Sequence, residues 1–270
     1  ALNKMEHSEK KPLRAPTQLF GTSGLHPVYW GVSKEQLIEF REQVRVAMAR
    51  GEIRGQPDES KPFFYQQAKF DDPKIGPNMH QVNFGLIKPI TMKGTSKKPA
   101  FMPGLSYALM HNYATGGLPC ELFFSHAWDE GVFELVDNAL AAWPDTCKGA
   151  YICCLSNPQN LDITELLNHP EGSPFERILT SGVVTDFVML ANANTPIHSR
   201  LWCVFEAFKA KMQGIKNISI VGEPAFLLTG PNRTRLRAVD QEAQKERDRE
   251  EASMREAIEQ RLQGDSDTLN

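Results

Sequence analysis

The sequence predicts a doubly wound α/β domain, and three observations predict it. From Cys120 onward, short apolar runs alternate with amphipathic segments in the order strand, helix, strand, helix, strand, helix, strand. That order implies parallel pairing through right-handed crossovers. The apolar runs are nearly continuous, as in strands covered on both faces. The helical segments also carry start and stop signals: Ser173-Pro174-Phe175-Glu176 is a capping box with proline in the first turn, and Gly214 is a stop.

Residues 1–32 are polar, contain Pro and Gly, and show no period. "SKEQLIEFREQVRVAMARG" then predicts an amphipathic helix over 33–50. Ser33 and Gln36 form a capping box, Gly51 closes the helix, and Leu37, Phe40, Val44 and Met48 share a face. Residues 53–118 carry prolines at 57, 62, 73, 77, 89, 99 and 103 and read as an irregular arm. Within it "QVNFGLIKPI" suggests a short strand and "GLSYALMHNY" a short helix. A loop of this length is uncommon inside a compact domain, which points to a surface on which the arm lies.

"CELFFSHAW" is the first expected strand of the α/β unit. In "DEGVFELVDNALAAW", Val132, Leu135, Val136, Ala139, Leu140 and Trp143 fall at helical spacing. "GAYICCLS" reads as a second buried strand, and "LDITELL" and "SPFERILTSG" as short helices. "VVTDFVMLA" follows as the third strand, "PIHSRLWCVFEAFKAKMQG" as a helix, and "NISIVG" as the fourth strand. A flavodoxin-like strand order is expected, turning direction between the first and third strands. The tail "VDQEAQKERDREEASMREAIEQRLQG" reads as a long charged helix with a narrow seam of Met254, Ile258 and Leu262. The expected organisation is an N-terminal extension (1–118), an α/β domain (119–230) and a charged helix with tail (231–270).

A net charge of −3 gives no global field for nucleic acid. No apolar run is long enough to span a bilayer. The five cysteines are odd in number and fit no disulfide framework, which predicts reduced thiols and an intracellular location; adjacent Cys153 and Cys154 read as small buried hydrophobes. The chain starts at Ala1, which is compatible with a cleaved targeting peptide. No histidine–cysteine spacing suggests zinc, and no metal site is expected.

Ligands of doubly wound sheets bind beyond the carboxyl ends of the strands at the switch point. The first strand brings Ser125, His126, Trp128 and Asp129 there, and the third brings Asn192, Asn194 and Thr195. The next helix carries Ser199, Trp202 and Glu206. A carboxylate one turn from an indole suits a nucleoside, with a ring stacked and ribose hydroxyls bound. Pattern alone leaves an exposed helix carboxylate as the plainer reading. GxGxxG, GxxxxGK[ST] and GxSxG are all absent, against dehydrogenase, P-loop and serine-hydrolase readings. Cys203 has no basic partner in the sequence.

"ELFFSHAWDEGVFELVDNAL" resembles the opening strand and helix of TIR domains, closest to protist TIR-like modules whose first strand ends in Ser-His. "DFVMLANANTPIHSRLWCVFEAF" resembles the family's third strand and following helix, with Ser199, Trp202, Cys203 and Glu206 at the family's positions. The resemblance covers about residues 118–222. It implies a TIR-like fold and, in many members, cleavage of NAD at the nicotinamide–ribose bond, with Glu206 as the catalytic carboxylate. No cofactor would be required, NAD being substrate or ligand. Trp128 and Trp202 would line the base pocket; Ser125, His126 and Asp129 would contact ribose or phosphate. The family's basic residue after the first strand is replaced by Ala127-Trp128-Asp129.

Two functions follow. The first is a TIR-like protein-interaction module of a larger assembly, retaining NAD binding, with protein partners held by the N-terminal arm and C-terminal helix and with TIR–TIR self-association. The alternative is an NAD glycohydrolase using Glu206. The interaction role is favoured for the whole chain by its long extensions, the enzyme by the Trp-Cys-Glu set.

Overall fold

Four short strands, β1 (Leu122–Ser125), β2 (Ala150–Ile152), β3 (Asp186–Leu190) and β4 (Asn217–Val221), form one open, all-parallel sheet in the order β2-β1-β3-β4. The computed structural model describes residues 25–54, 70–93, 105–161, 166, 172–192, 197 and 200–222. The expected charged helix over 231–270, Asn194, Thr195 and Ser199, and most of "LDITELL", lie outside the described residues. The chain turns direction between β1 and β3, as the strand pattern predicts.

The pleat divides the core into two layers. Leu122, Phe124, Ala150, Ile152, Val188 and Leu190 face one side. There they meet α1 (Lys34–Ala49) and α5 (Val132–Ala141), whose buried residues include Leu37, Phe40, Val44, Leu135, Val136 and Ala139. Phe123, Tyr151 and Phe187 face the other side, against α7 (Pro174–Leu179) and α8 (Leu201–Met212). Continuous apolar strands result because both faces of β1 and β2 are buried. β4 differs: at the edge of the sheet among the described residues, it is largely exposed there, with Ile220 65 % accessible.

Local chemistry sets the helix ends. Ser33 and Gln36 exchange side-chain and backbone hydrogen bonds at the start of α1, and Gly51 follows its end at φ 68°. Ser173 and Glu176 do the same for α7. α8 ends at Met212, with Gly214 at φ 70°.

Two expectations are corrected. "QVNFGLIKPI" is helical: α2 (Met79–Val82) runs into a π-helical turn (Asn83–Ile87) and then α3 (Lys88–Lys93). Asn78 and Gln81 form its capping box. Pro89 is tolerated because it is the second residue of α3, and its missing N–H accompanies the widened turn, in which the Lys88 N–H reaches the Asn83 carbonyl. Gly85 lets this turn lie on the backbone after α1, since a Cβ there would stand 2.7 Å from the Glu52 carbonyl oxygen. The second correction concerns "GAYICCLS". The strand stops at Ile152, and α6 (Cys153–Ser156) is one helical turn, closed by the Ile152 N–H donating to Ser156 Oγ at 3.1 Å.

The expected short helix within "GLSYALMHNY" is α4 (Tyr107–Asn112), capped by Ser106. The described parts of the arm are not irregular wrapping. Met79, Val82, Leu86, Ile87 and Tyr107 share one core with α1, α5 and the sheet. The Asn78–Gly131 bridge ties the arm to the turn before α5. A Cβ on Gly131 would lie 2.1 Å from the Ile75 carbonyl oxygen and 2.4 Å from Ile75 Cγ2. Gly131→Ala is therefore expected to destabilise the protein by about 2–4 kcal/mol, read as a lowered urea midpoint. An unchanged midpoint would mean that residues 75–78 do not pack against this turn.

Candidate functional site

The switch point lies where β1 and β3 end, and α8 packs against both strands. Cys203 and Glu206 are three residues apart and share a helical face. Both reach the carboxyl end of β1 or the residue after it: the Cys203 thiol donates to the His126 carbonyl at 3.4 Å, and the Ser125 hydroxyl donates to Glu206 Oε2 at 2.5 Å. Ser125 is fully buried as the last residue of β1, so the strand end fixes where the carboxylate sits. Glu206 itself is half-buried. Desolvation pushes its carboxyl up to about 7, against the opposing effects of the Ser125 hydrogen bond and of His126.

His126 turns inward rather than into open space. Its Nδ1 lies 2.6 Å from Glu130 Oε1, and both side chains are almost wholly buried. Burial works against a charged imidazole, but Cys153, Cys154 and Glu130 outweigh it and hold His126 well above its usual range. Desolvation likewise pushes Glu130 up to about 7, with His126 pulling the other way. The other imidazole nitrogen, Nε2, is 3.1 Å from Cys153 Sγ.

The remaining expected residues separate into two groups. Trp128 and Asp129 stand at this end of the sheet. The Trp128 indole N–H donates to Cys153 Sγ at 3.2 Å, and its ring is 5.2 Å from that of His80. Asp129 lies 3.5 Å from both Arg200 Nη1 and His80 Nε2. Asn192 is fully buried just beyond β3. Trp202 belongs to a different environment. Its ring packs edge-on against Phe175 at 5.0 Å and near Phe205 at 6.1 Å, within the aromatic layer under α7. Ser199 lies outside the described residues.

Sequence reasoning missed Glu130, Cys153, Arg200 and His80. The available signal was the Asp129-Glu130 pair directly after the polar strand end, and a basic residue directly before the Trp-Cys helix. Cys153 gave none, being one of two adjacent cysteines in an apolar run. Expected to be a small buried hydrophobe, it is the half-exposed one of the five cysteines; the other four are buried.

Chemically, this end of the sheet offers a carboxyl pushed up to about 7 and held by a hydroxyl, with a second carboxyl paired to an imidazole. No group of three or more His, Cys, Asp or Glu among the described residues is arranged to hold a metal ion. No helix among the described residues is long and apolar enough to cross a membrane. Comparison with family models, with curated proteins and with solved structures returned no match to this chain.

Proposed function

We propose that this chain is a TIR-like module of flavodoxin-like fold whose crevice takes a nicotinamide nucleotide and cleaves the nicotinamide–ribose bond. The observation that carries the reading is the Ser125–Glu206 contact of 2.5 Å at the turn-around of the sheet. Loss of neutral nicotinamide leaves an oxocarbenium-like ribose. An ionised Glu206 beside it binds ribose hydroxyls and stabilises the growing positive charge. Ser125 orients the carboxylate, and partial burial strengthens its field. Asp129 and Arg200, 3.5 Å apart, stand at the same end of the sheet, where the guanidinium is a partner for phosphate. The test is nicotinamide release from NAD by the full chain at high protein concentration. Stoichiometric, protein-dependent release is expected. Intact NAD after prolonged incubation would remove the hydrolytic reading.

A second reading, a protein-interaction module, is supported by a separate surface. Val204, Phe208 and Met212 recur every four residues along α8 and are exposed among the described residues, as are Ile218 and Ile220 on edge strand β4. An exposed parallel strand and an exposed apolar helix stripe each suit association with a protein partner or a second copy. Phe208→Glu is expected to lower self-association, measured by sedimentation, without changing the circular dichroism spectrum. An unaltered sedimentation profile at all concentrations would count against this surface.

A further inference from the structure

The turn after β1 and the first residue of α6 bring together three side chains that the glycosidic chemistry leaves unused. Cys153 Sγ lies 3.1 Å from His126 Nε2, and His126 Nδ1 lies 2.6 Å from Glu130 Oε1. The chain order is imidazole, carboxylate, thiol, the first two from the turn after β1 and the thiol from the start of α6. We propose that Cys153 is a nucleophile, with His126 as its general base and Glu130 as the residue that positions the imidazole, and that the set transfers acyl groups from thioesters or activated esters.

Three features of the geometry support this assignment. A nucleophile and a base within hydrogen-bond reach, with the base oriented by a third group, is the recurring arrangement for an activated thiol. The Trp128 indole contacts the same sulfur at 3.2 Å, and an indole N–H can only donate, so the sulfur acts as acceptor there. A sulfur accepting from the indole and facing an imidazole is set up to hold negative charge. Finally, the acidic partner is committed. Glu130 is fully buried, and its second oxygen, Oε2, finds no hydrogen-bond partner among the described residues, so the carboxylate is anchored through the imidazole. Cys153 is the half-exposed member of the set, whereas His126 and Glu130 lie beneath it, as a reacting atom and its support should.

The step balances without an external oxidant or metal. His126 takes the thiol proton. The Cys153 thiolate attacks the acyl carbon, a carbon–sulfur bond forms, the bond to the leaving oxygen or sulfur breaks, and the leaving group departs with the proton from His126 Nε2. Water then gives a proton to the same nitrogen and attacks the acyl carbon, the carbon–sulfur bond breaks, and the carboxylic acid leaves with the thiolate–imidazolium pair restored. The groups facing this set are Cys154 on α6, Tyr151 on β2, and Cys203 and Glu206 on α8, with Asp129 and Glu134 behind Glu130.

The test uses the full chain and p-nitrophenyl acetate. A burst of about one nitrophenolate per chain is expected, with the acetyl group found on the Cys153 peptide by mass spectrometry. Cys153→Ala should abolish the burst. Because Glu130→Gln could impair folding, a second measurement compares alkylation of Cys153 by iodoacetamide in native protein and in protein unfolded in urea. Native Cys153 should react at least ten-fold faster at pH 6.5. In folded Glu130→Gln that rate advantage should shrink. Acetylation elsewhere, or equal native and unfolded alkylation rates, would overturn the proposal.

Discussion

Glu206→Gln is expected to lower nicotinamide release by at least about a thousand-fold, the scale on which removing a charge-stabilising group acts in a dry site. The substitution keeps the shape and the ability to accept from Ser125, whose hydroxyl donates to Oε2 at 2.5 Å. It removes only the negative charge that would face the ribose cation. Because the carboxyl sits at about 7 in the folded chain, the ionised, competent form grows as pH rises through neutrality. The kcat/KM of the natural chain should therefore climb between about pH 6 and 8 and then level. Ser125→Ala removes the hydrogen bond that holds the carboxyl down, so the climb should shift to higher pH. Initial rates of nicotinamide release across this range check both statements. Equal turnover by Glu206→Gln would rule out the assigned role.

The same substitution should make the protein more stable in mild alkali. The folded carboxyl at about 7 lies above its ordinary value of 4.5, so the native state holds a proton that the unfolded state has given up. A raised acid contributes stability that is fully present below about pH 4.5 and is lost as pH rises through 7. By pH 8 the natural chain carries an ionised carboxylate at a poorly solvated position. Glu206 keeps some exposure, which tempers the cost to on the order of 2 kcal/mol. Glu206→Gln removes it. Thermal unfolding should show the variant higher by about 5 °C at pH 8 and little different at pH 5. A variant that is less stable at pH 8 would place Glu206 among ordinary structural carboxylates. Stability given up at a reactive group is a common cost of function.

Much of this architecture was legible because its signals are local. The Ser33 and Ser173 capping boxes, the glycine stops at 51 and 214, and the apolar face of α5 act within one or two helical turns. The parallel order of the strands followed from alternation alone. The misread segments had overriding contexts. Pro89 and Gly85 made residues 81–90 look like a broken strand, yet both suit a helix with a widened turn lying on the 52–53 backbone. Cys153 continued an apolar run, but the run leaves the sheet at Ile152.

The site divides in the same way. Glu206 and Ser125 could be named separately from their places beside the switch point, while their direct contact joins residues 81 apart and needed coordinates. His126 was expected to face a ligand. Its partners Glu130 and Cys153 became visible only when the β1–α5 turn folded back and the end of β2 was placed beside it. Trp202 was assigned to the crevice because it is one turn from Glu206. Phe175 on α7 and Phe205 offer its ring a larger aromatic surface to bury, and packing there prevails.

The pivotal feature is a carboxyl at the switch point whose proton affinity is raised by partial burial and which, under the proposed function, responds to a bound nucleotide. Carbon-13 NMR of side-chain-labelled protein, with Glu206→Gln used to assign the resonance, measures it directly. Titration with a midpoint near 7, displaced on adding NAD, is the expected result. A midpoint near 4.5 that NAD leaves unmoved would contradict it.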